Sequence, residues 1–130
     1  MNLLLDTHIA IWAMTERNRI GHKALAMIQA DDACVFVSAI SIWEIAIKSS
    51  LSRRAGTPPF SAKQALQYFA DAGFEMLDIT PAHASAVETL PPIHADPFDR
   101  LLVAQALTEP MRLVTADRMV ARYSDIVILA

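Results

Sequence analysis

Short apolar runs alternate with longer stretches of helical periodicity from one end of the chain to the other. Leu3-Leu4-Leu5 stops abruptly at Asp6, and Ile9, Trp12 and Ala13 then recur at helical spacing, so a buried strand passes into a helix where a carboxylate sits. After Gly21, the positions Ala24, Leu25 and Ile28 predict a second helix from His22 to Ala30, ended by Asp31-Asp32. Cys34-Val35-Phe36-Val37 is β-rich, and Ser38 is placed to cap a helix from Ala39 to Leu51, whose Ile40, Trp43, Ile47 and Leu51 mark one buried face. Ser52 to Pro59 has loop chemistry, with Arg53 and Arg54 forming a basic turn and two prolines that forbid continuing the helix. Ser61 and Gln64 match a capping box for a helix that Gly73 stops. Phe74 to Ile79 alternates apolar and acidic residues, as a strand half open to solvent near a sheet edge does. Thr80-Pro81 opens a helix to about Leu90, and Asp96-Pro97 opens another that ends at Glu109-Pro110. Arg112 to Thr115 reads as a strand, Ala116 to Tyr123 as a short helix and Ile126 to Leu129 as a last strand.

Strands alternating with helices throughout predict an α/β fold: a single domain over residues 1–130, with a parallel sheet of about five strands covered by helices on both faces. In such sheets ligand groups gather at the carboxyl ends of the strands. Two strands run straight into carboxylates there, at Leu5-Asp6 and at Thr115-Ala116-Asp117.

Composition narrows this picture. A length of 130 residues buries a core without staples. The single cysteine, Cys34, has no partner and reads as a small core residue. Neither a signal-peptide pattern nor an apolar run of about 18 residues occurs, so a soluble cytoplasmic protein without membrane contact is expected. The hydrophobic fraction, 54%, is high for a small soluble domain and points to apolar surface covered by a partner or a second copy. The formal charge of −3 argues against a simple basic nucleic-acid binder, although two bound divalent ions would bring it to +1.

Several acidic residues fall at strand ends and helix beginnings. Glu44 lies in a helix that is apolar nearly all round, and its bland partner is Lys48, four residues on. Asp96 caps its helix, whereas Asp99, one turn in, adds repulsion that a cation would relieve and that a surface pair between Asp96 and Arg100 would offset in part. Asp117 reads equally well as a cap. Taken together, clustered carboxylates without Cys or His ligand spacing suit Mg²⁺ or Mn²⁺ rather than zinc, and such a site hydrolyses a phosphodiester through metal-activated water.

The segments Leu3-Leu4-Leu5-Asp6-Thr7-His8, Ser38-x-x-Ser41-x-Trp43-Glu44-Ile45-Ala46-Ile47-Lys48, His94-x-Asp96-Pro97-Phe98-Asp99-Arg100-Leu101-Leu102 and Val114-Thr115-Ala116-Asp117 resemble PIN-domain ribonucleases, specifically VapC-type toxins of toxin–antitoxin pairs. The resemblance spans essentially the whole chain. It implies an RNA substrate, a Mg²⁺- or Mn²⁺-binding quartet of Asp6, Glu44, Asp99 and Asp117, carboxylates oriented by Thr7 and Ser41 with Asp96 as a neighbour, a cognate antitoxin that covers the site, and a homodimer. Arg100, with Lys48, Arg53 and Arg54, is a candidate for contact with RNA phosphates. His8 and His94 read as polar groups beside the ligands, and Trp12 and Trp43 as core or interface anchors. Two rivals remain: a non-catalytic protein-interaction module whose carboxylates are only caps, and an aspartate-nucleophile phosphatase, which expects an aspartate where His8 stands.

Overall fold

The computed structural model describes residues 1–51 and 57–130, so the predicted basic turn with Arg53 and Arg54 lies outside the described residues. Within them, five strands form one parallel sheet: β1 (Asn2–Leu5), β2 (Cys34–Ser38), β3 (Glu75–Leu77), β4 (Arg112–Thr115) and β5 (Val127–Leu129), in the order β3-β2-β1-β4-β5. Seven α-helices link them: α1 (Thr7–Thr15), α2 (His22–Gln29), α3 (Ala39–Leu51), α4 (Ala62–Asp71), α5 (Pro81–Ala86), α6 (Pro97–Thr108) and α7 (Arg118–Ala121).

The most apolar strand takes the central place. Leu3, Leu4 and Leu5 are fully buried, because β1 is paired on both sides and covered on both faces. Alternation along the strand divides the core. Leu3 and Leu5 join Val35, Val37, Ile9, Ile28 and Phe69 under α1, α2 and α4, while Leu4 joins Leu113, Leu102, Val103 and Val120 under α6 and α7. Helix α3 contributes Ile45 to the first cluster and Ile40 to the second, so it straddles the two. Burying each leucine of β1 contributes roughly 1.5–3 kcal/mol, which makes this strand the least negotiable part of the fold.

The caps follow the sequence closely. Ser61 and Gln64 close a capping box at α4, and Thr80 and His83 close another at α5. At the end of α4 the Phe74 amide bonds to the Phe69 carbonyl and the Gly73 amide to that of Ala70, with Gly73 at φ +81°, a left-handed turn that glycine adopts at low cost. The predicted strand at Phe74–Ile79 contracts to Glu75–Leu77 at the sheet edge. The helix expected to reach Leu90 breaks into α5 and a 3₁₀ turn at Val87–Thr89, and the one expected over Ala116–Tyr123 contracts to α7. Cys34 is exposed rather than in the core, because it stands at the start of β2, next to Met1, whose carbonyl takes its amide proton. Trp43 is 58% exposed on α3 and lies edge-on to Phe98 at 5.6 Å, so it is no core residue. Among the described residues no helix is long and apolar enough to cross a membrane.

Candidate active site

The carboxyl ends of β1 and β4, adjacent and parallel, bring Asp6 and Asp117 to one edge of the sheet. Helix α3, leaving the end of β2, carries Glu44 to the same edge, and the N-terminus of α6 carries Asp96 and Asp99. All five line one cleft of about 520 Å³, together with Thr7, His8, His94 and Lys48. The four acids of the expected quartet, scattered over 112 positions of sequence, thus share one opening.

Each carboxylate is held by local bonds. Asp6, 6% exposed, caps α1 by accepting from the Ile9 amide at 2.9 Å with Oδ1, while Oδ2 accepts from the Thr115 hydroxyl. The Thr115 hydroxyl in turn accepts the Asp117 amide at 3.1 Å, which couples the two strand ends. Burial pushes the Asp6 carboxyl up from its ordinary value, against the bonds from Thr115 and Ile9, and the charge of Glu44 adds to that push. Glu44, equally buried, has Thr7 Oγ1 at 2.7 Å on Oε1 and Lys48 Nζ at 2.6 Å on Oε2. Since a carboxylate only accepts, the single Thr7 proton goes to Glu44, and Ser41, 2.9 Å away, is left to donate to Thr7. Both expectations for Glu44 hold together: it pairs with Lys48 and it faces the cleft.

Asp96 accepts from the Phe98 and Asp99 amides at 2.8 and 3.2 Å, a true N-cap. Asp99, by contrast, is raised to about 7, first by burial and then by the negative charges of Asp96, Asp6 and Asp117, with His94 acting against them. For Asp117 partial burial works the same way, yet the Met119 amide and the His94 ring outweigh it and hold the carboxyl below its ordinary value.

His94 has a larger part than its sequence position suggested. Its Nδ1 accepts the Asp96 amide at 3.2 Å, so Nε2 carries the proton and points it at Asp117 Oδ2, 3.0 Å away, with Asp99 Oδ2 at 3.3 Å. The ring thereby bridges two carboxylates. Thr115 is the other residue that the sequence reading left without a role. The signal available was a hydroxyl ending β4 two residues before Asp117, and for His94 a ring two residues before a helix cap.

Arg100 is turned away from the cleft. Its guanidinium donates to the carbonyls of Pro91 at 3.0 Å and Val87 at 3.2 Å and to the Tyr123 hydroxyl at 3.1 Å, tying the 87–94 segment to α6. Those oxygens, and not Asp96, are its partners, because the 87–94 segment brings its carbonyls within reach of the guanidinium.

The donor set suits a divalent cation. The ligand atoms of His94, Asp99 and Asp117 lie within 4.8 Å of one another, and after burial the charges of Asp96, Asp6 and Asp117 add to the upward push on the Asp99 carboxyl. Hard oxygen donors of this kind fit Mg²⁺ or Mn²⁺, and His94, with its proton on Nε2, serves the carboxylates as a hydrogen-bond donor.

The PIN domain family matches residues 3–126. The chain is 35% identical over 118 residues to the ribonuclease VapC22 of Mycobacterium tuberculosis, covering 89% of this chain and 87% of that protein. In fold it is similar to the crystal structure of VapBC2 from Rickettsia felis bound to a promoter DNA fragment, with a TM-score of 0.70 at 18% identity over 100% of this chain and 98% of that one. A toxin–antitoxin complex from Klebsiella pneumoniae is similar too, with a TM-score of 0.65 at 17% identity over 97% and 95%. The family match over most of the chain and the sequence similarity agree: the chain belongs to the PIN-domain family, as a homologue of the ribonuclease VapC22.

Proposed function

We propose that this protein is the toxin of a toxin–antitoxin pair, a Mg²⁺- or Mn²⁺-dependent endoribonuclease that hydrolyses an RNA phosphodiester. The observation that carries this reading is the convergence of Asp6, Glu44, Asp99 and Asp117 on one cleft, where Asp99 is raised to about 7 by burial and then by its acidic neighbours. Asp6, Glu44, Asp99 and Asp117 would hold the ion. A divalent ion so held lowers the pKa of a water molecule and offsets charge on the leaving oxygen. The chain's own residues do the remaining work. Thr115 and the Ile9 amide fix both oxygens of Asp6, Thr7 and Lys48 fix those of Glu44, and His94 keeps Asp99 and Asp117 turned toward each other. Such preorganisation lets the cleft accept a phosphate without rebuilding itself at each turnover.

An antitoxin partner belongs to the same reading, supported by the relatives seen in toxin–antitoxin complexes, and a cytoplasmic setting goes with it. Homodimerisation is supported by exposed apolar side chains such as Trp43, Leu66, Met76 and Ile79. Purified protein freed of any partner should cut RNA with Mn²⁺, stop when the metal is chelated and lose cleavage in Asp6→Asn; equal cleavage by that variant would refute the reading. Light scattering at micromolar concentration should report a dimer, and a clean monomer would remove that part of it.

A further inference from the structure

The acidic cleft does not end at its acids. His8, Trp12, Arg19 and Lys48 line its outer wall, and the same four residues continue into a neighbouring groove of about 580 Å³ that runs between α1 and Thr57–Pro59. The two openings form one trough with carboxylates at one end. A nucleic-acid strand lying in it would meet repulsion from those carboxylates and would need a cation beside them.

Lys48 is taken up by Glu44 at 2.6 Å. Arg19 is not so engaged. Its Nη1 meets Glu16 at 3.2 Å in a pair with both side chains 54% exposed, and among the described residues its Nε and Nη2 have no hydrogen-bond partner. The 3₁₀ turn at Arg17–Arg19 folds the guanidinium back over the Trp12 ring, 4.3 Å from its centre, and His8 lies one helical turn earlier, 6.1 Å from that ring. Cation–π contact holds the guanidinium over the indole face and leaves its remaining N–H groups to donate.

We propose that Arg19, held over the Trp12 ring, grips the phosphate of a nucleotide flanking the scissile bond of a single-stranded RNA, with Trp12 as its positioning residue. The proposal rests on the nuclease reading for the identity of the strand. It favours RNA over a protein occupant because Arg19 retains unused donors suited to a phosphate and the groove is continuous with the acidic cleft.

The test is binding of a short fluorescent oligouridylate to the full chain carrying Asp99→Asn, titrated at several salt concentrations, beside cleavage by the otherwise unaltered protein with Mn²⁺. Removing one phosphate contact should flatten the slope of log affinity against log salt by about 0.7. Arg19→Ala should show that change with about tenfold weaker binding, the loss falling on KM and not on kcat. Arg19→Lys should keep the slope while binding less tightly, Trp12→Leu should weaken binding, and Trp12→Phe should recover most of it. Lys63→Ala, an exposed cation on α4 outside the trough, should leave the slope as it was. An unchanged slope and KM in both Arg19→Ala and Trp12→Leu would overturn the proposal, as would variants that lose only their grip on a co-expressed inhibitory protein. Protein that binds the oligonucleotide through Arg19 yet cuts nothing would retire the nuclease reading and keep the subsite; protein that cuts RNA independently of Arg19 would do the reverse.

Discussion

Helix α6 carries a histidine–carboxylate contact at each end, and the two could hardly be built more differently. At its N-terminus His94 reaches two carboxylates, Asp99 at 3.3 Å and Asp117 at 3.0 Å, on the wall of an open cleft. At its C-terminus the fully buried His83 meets one carboxylate, Glu109, at 2.5 Å, and its Nδ1 accepts the Thr80 amide at 3.1 Å. Gln105 closes that knot by donating to the Asp78 carbonyl at 3.3 Å. Residue types alone do not separate these ends. Their surroundings do: the buried His83 ring meets a single, partly exposed carboxylate, whereas at the cleft burial and then the charges of Asp96, Asp6 and Asp117 push Asp99 up to about 7. A buried ring anchored to one carboxylate secures a corner of the fold, and an open cleft lined by several acids is a place for ligand.

The contrast breaks most visibly in activity. Asp99→Asn should lower RNA cleavage by at least about a thousandfold, roughly 4 kcal/mol of barrier, while Glu109→Gln should stay within about threefold of the unaltered protein, both followed by gel assay with Mn²⁺. Stability should show the opposite order. His83→Ala, which empties a fully buried site and leaves the Thr80 amide without its acceptor, should cost about 2–4 kcal/mol in urea unfolding, against about 1 kcal/mol or less for His94→Ala at the cleft wall. If both histidines cost the same, the two ends are not different in kind.

The smallest effect concerns pH in the metal-free protein. A carboxyl whose folded pKa lies near 7 and whose ordinary value is 3.8 favours the folded state only while protonated, so it costs stability increasingly as pH rises from about 4 to about 7. Metal-free Asp99→Asn should therefore melt a few degrees above the unaltered protein at pH 8, with the gain shrinking as pH falls toward 4. A melting difference independent of pH would show that Asp99 is not held up by its acidic neighbours.

Much of this was legible along the chain. The alternation of apolar runs with helical spacing predicts five strands and their parallel sheet, and the capping box at Ser61 and the cap with first-turn proline at Thr80 form as expected, because both depend on residues close in sequence. Local rules failed where distant chain arrives. Cys34 reads as core from its neighbours but stands exposed at a strand start, and Arg100 reads as a partner for Asp96 until the 87–94 segment folds its carbonyls across the guanidinium. Trp43, a helical apolar position, is exposed because α3 straddles two core clusters and leaves that side of the helix uncovered.

The sequence by itself determined which residues carry charge at strand ends and which strand is apolar enough to be central, since both follow from short-range pattern and the cost of exposing three leucines. It could not decide how those charges balance. Thr115 meets Asp6 across 109 positions and His94 meets Asp117 across 23, and a carboxylate's ionisation depends on such neighbours and on burial, which exist only once the sheet has closed. The tertiary structure alone made one histidine part of a knot and the other part of a cleft.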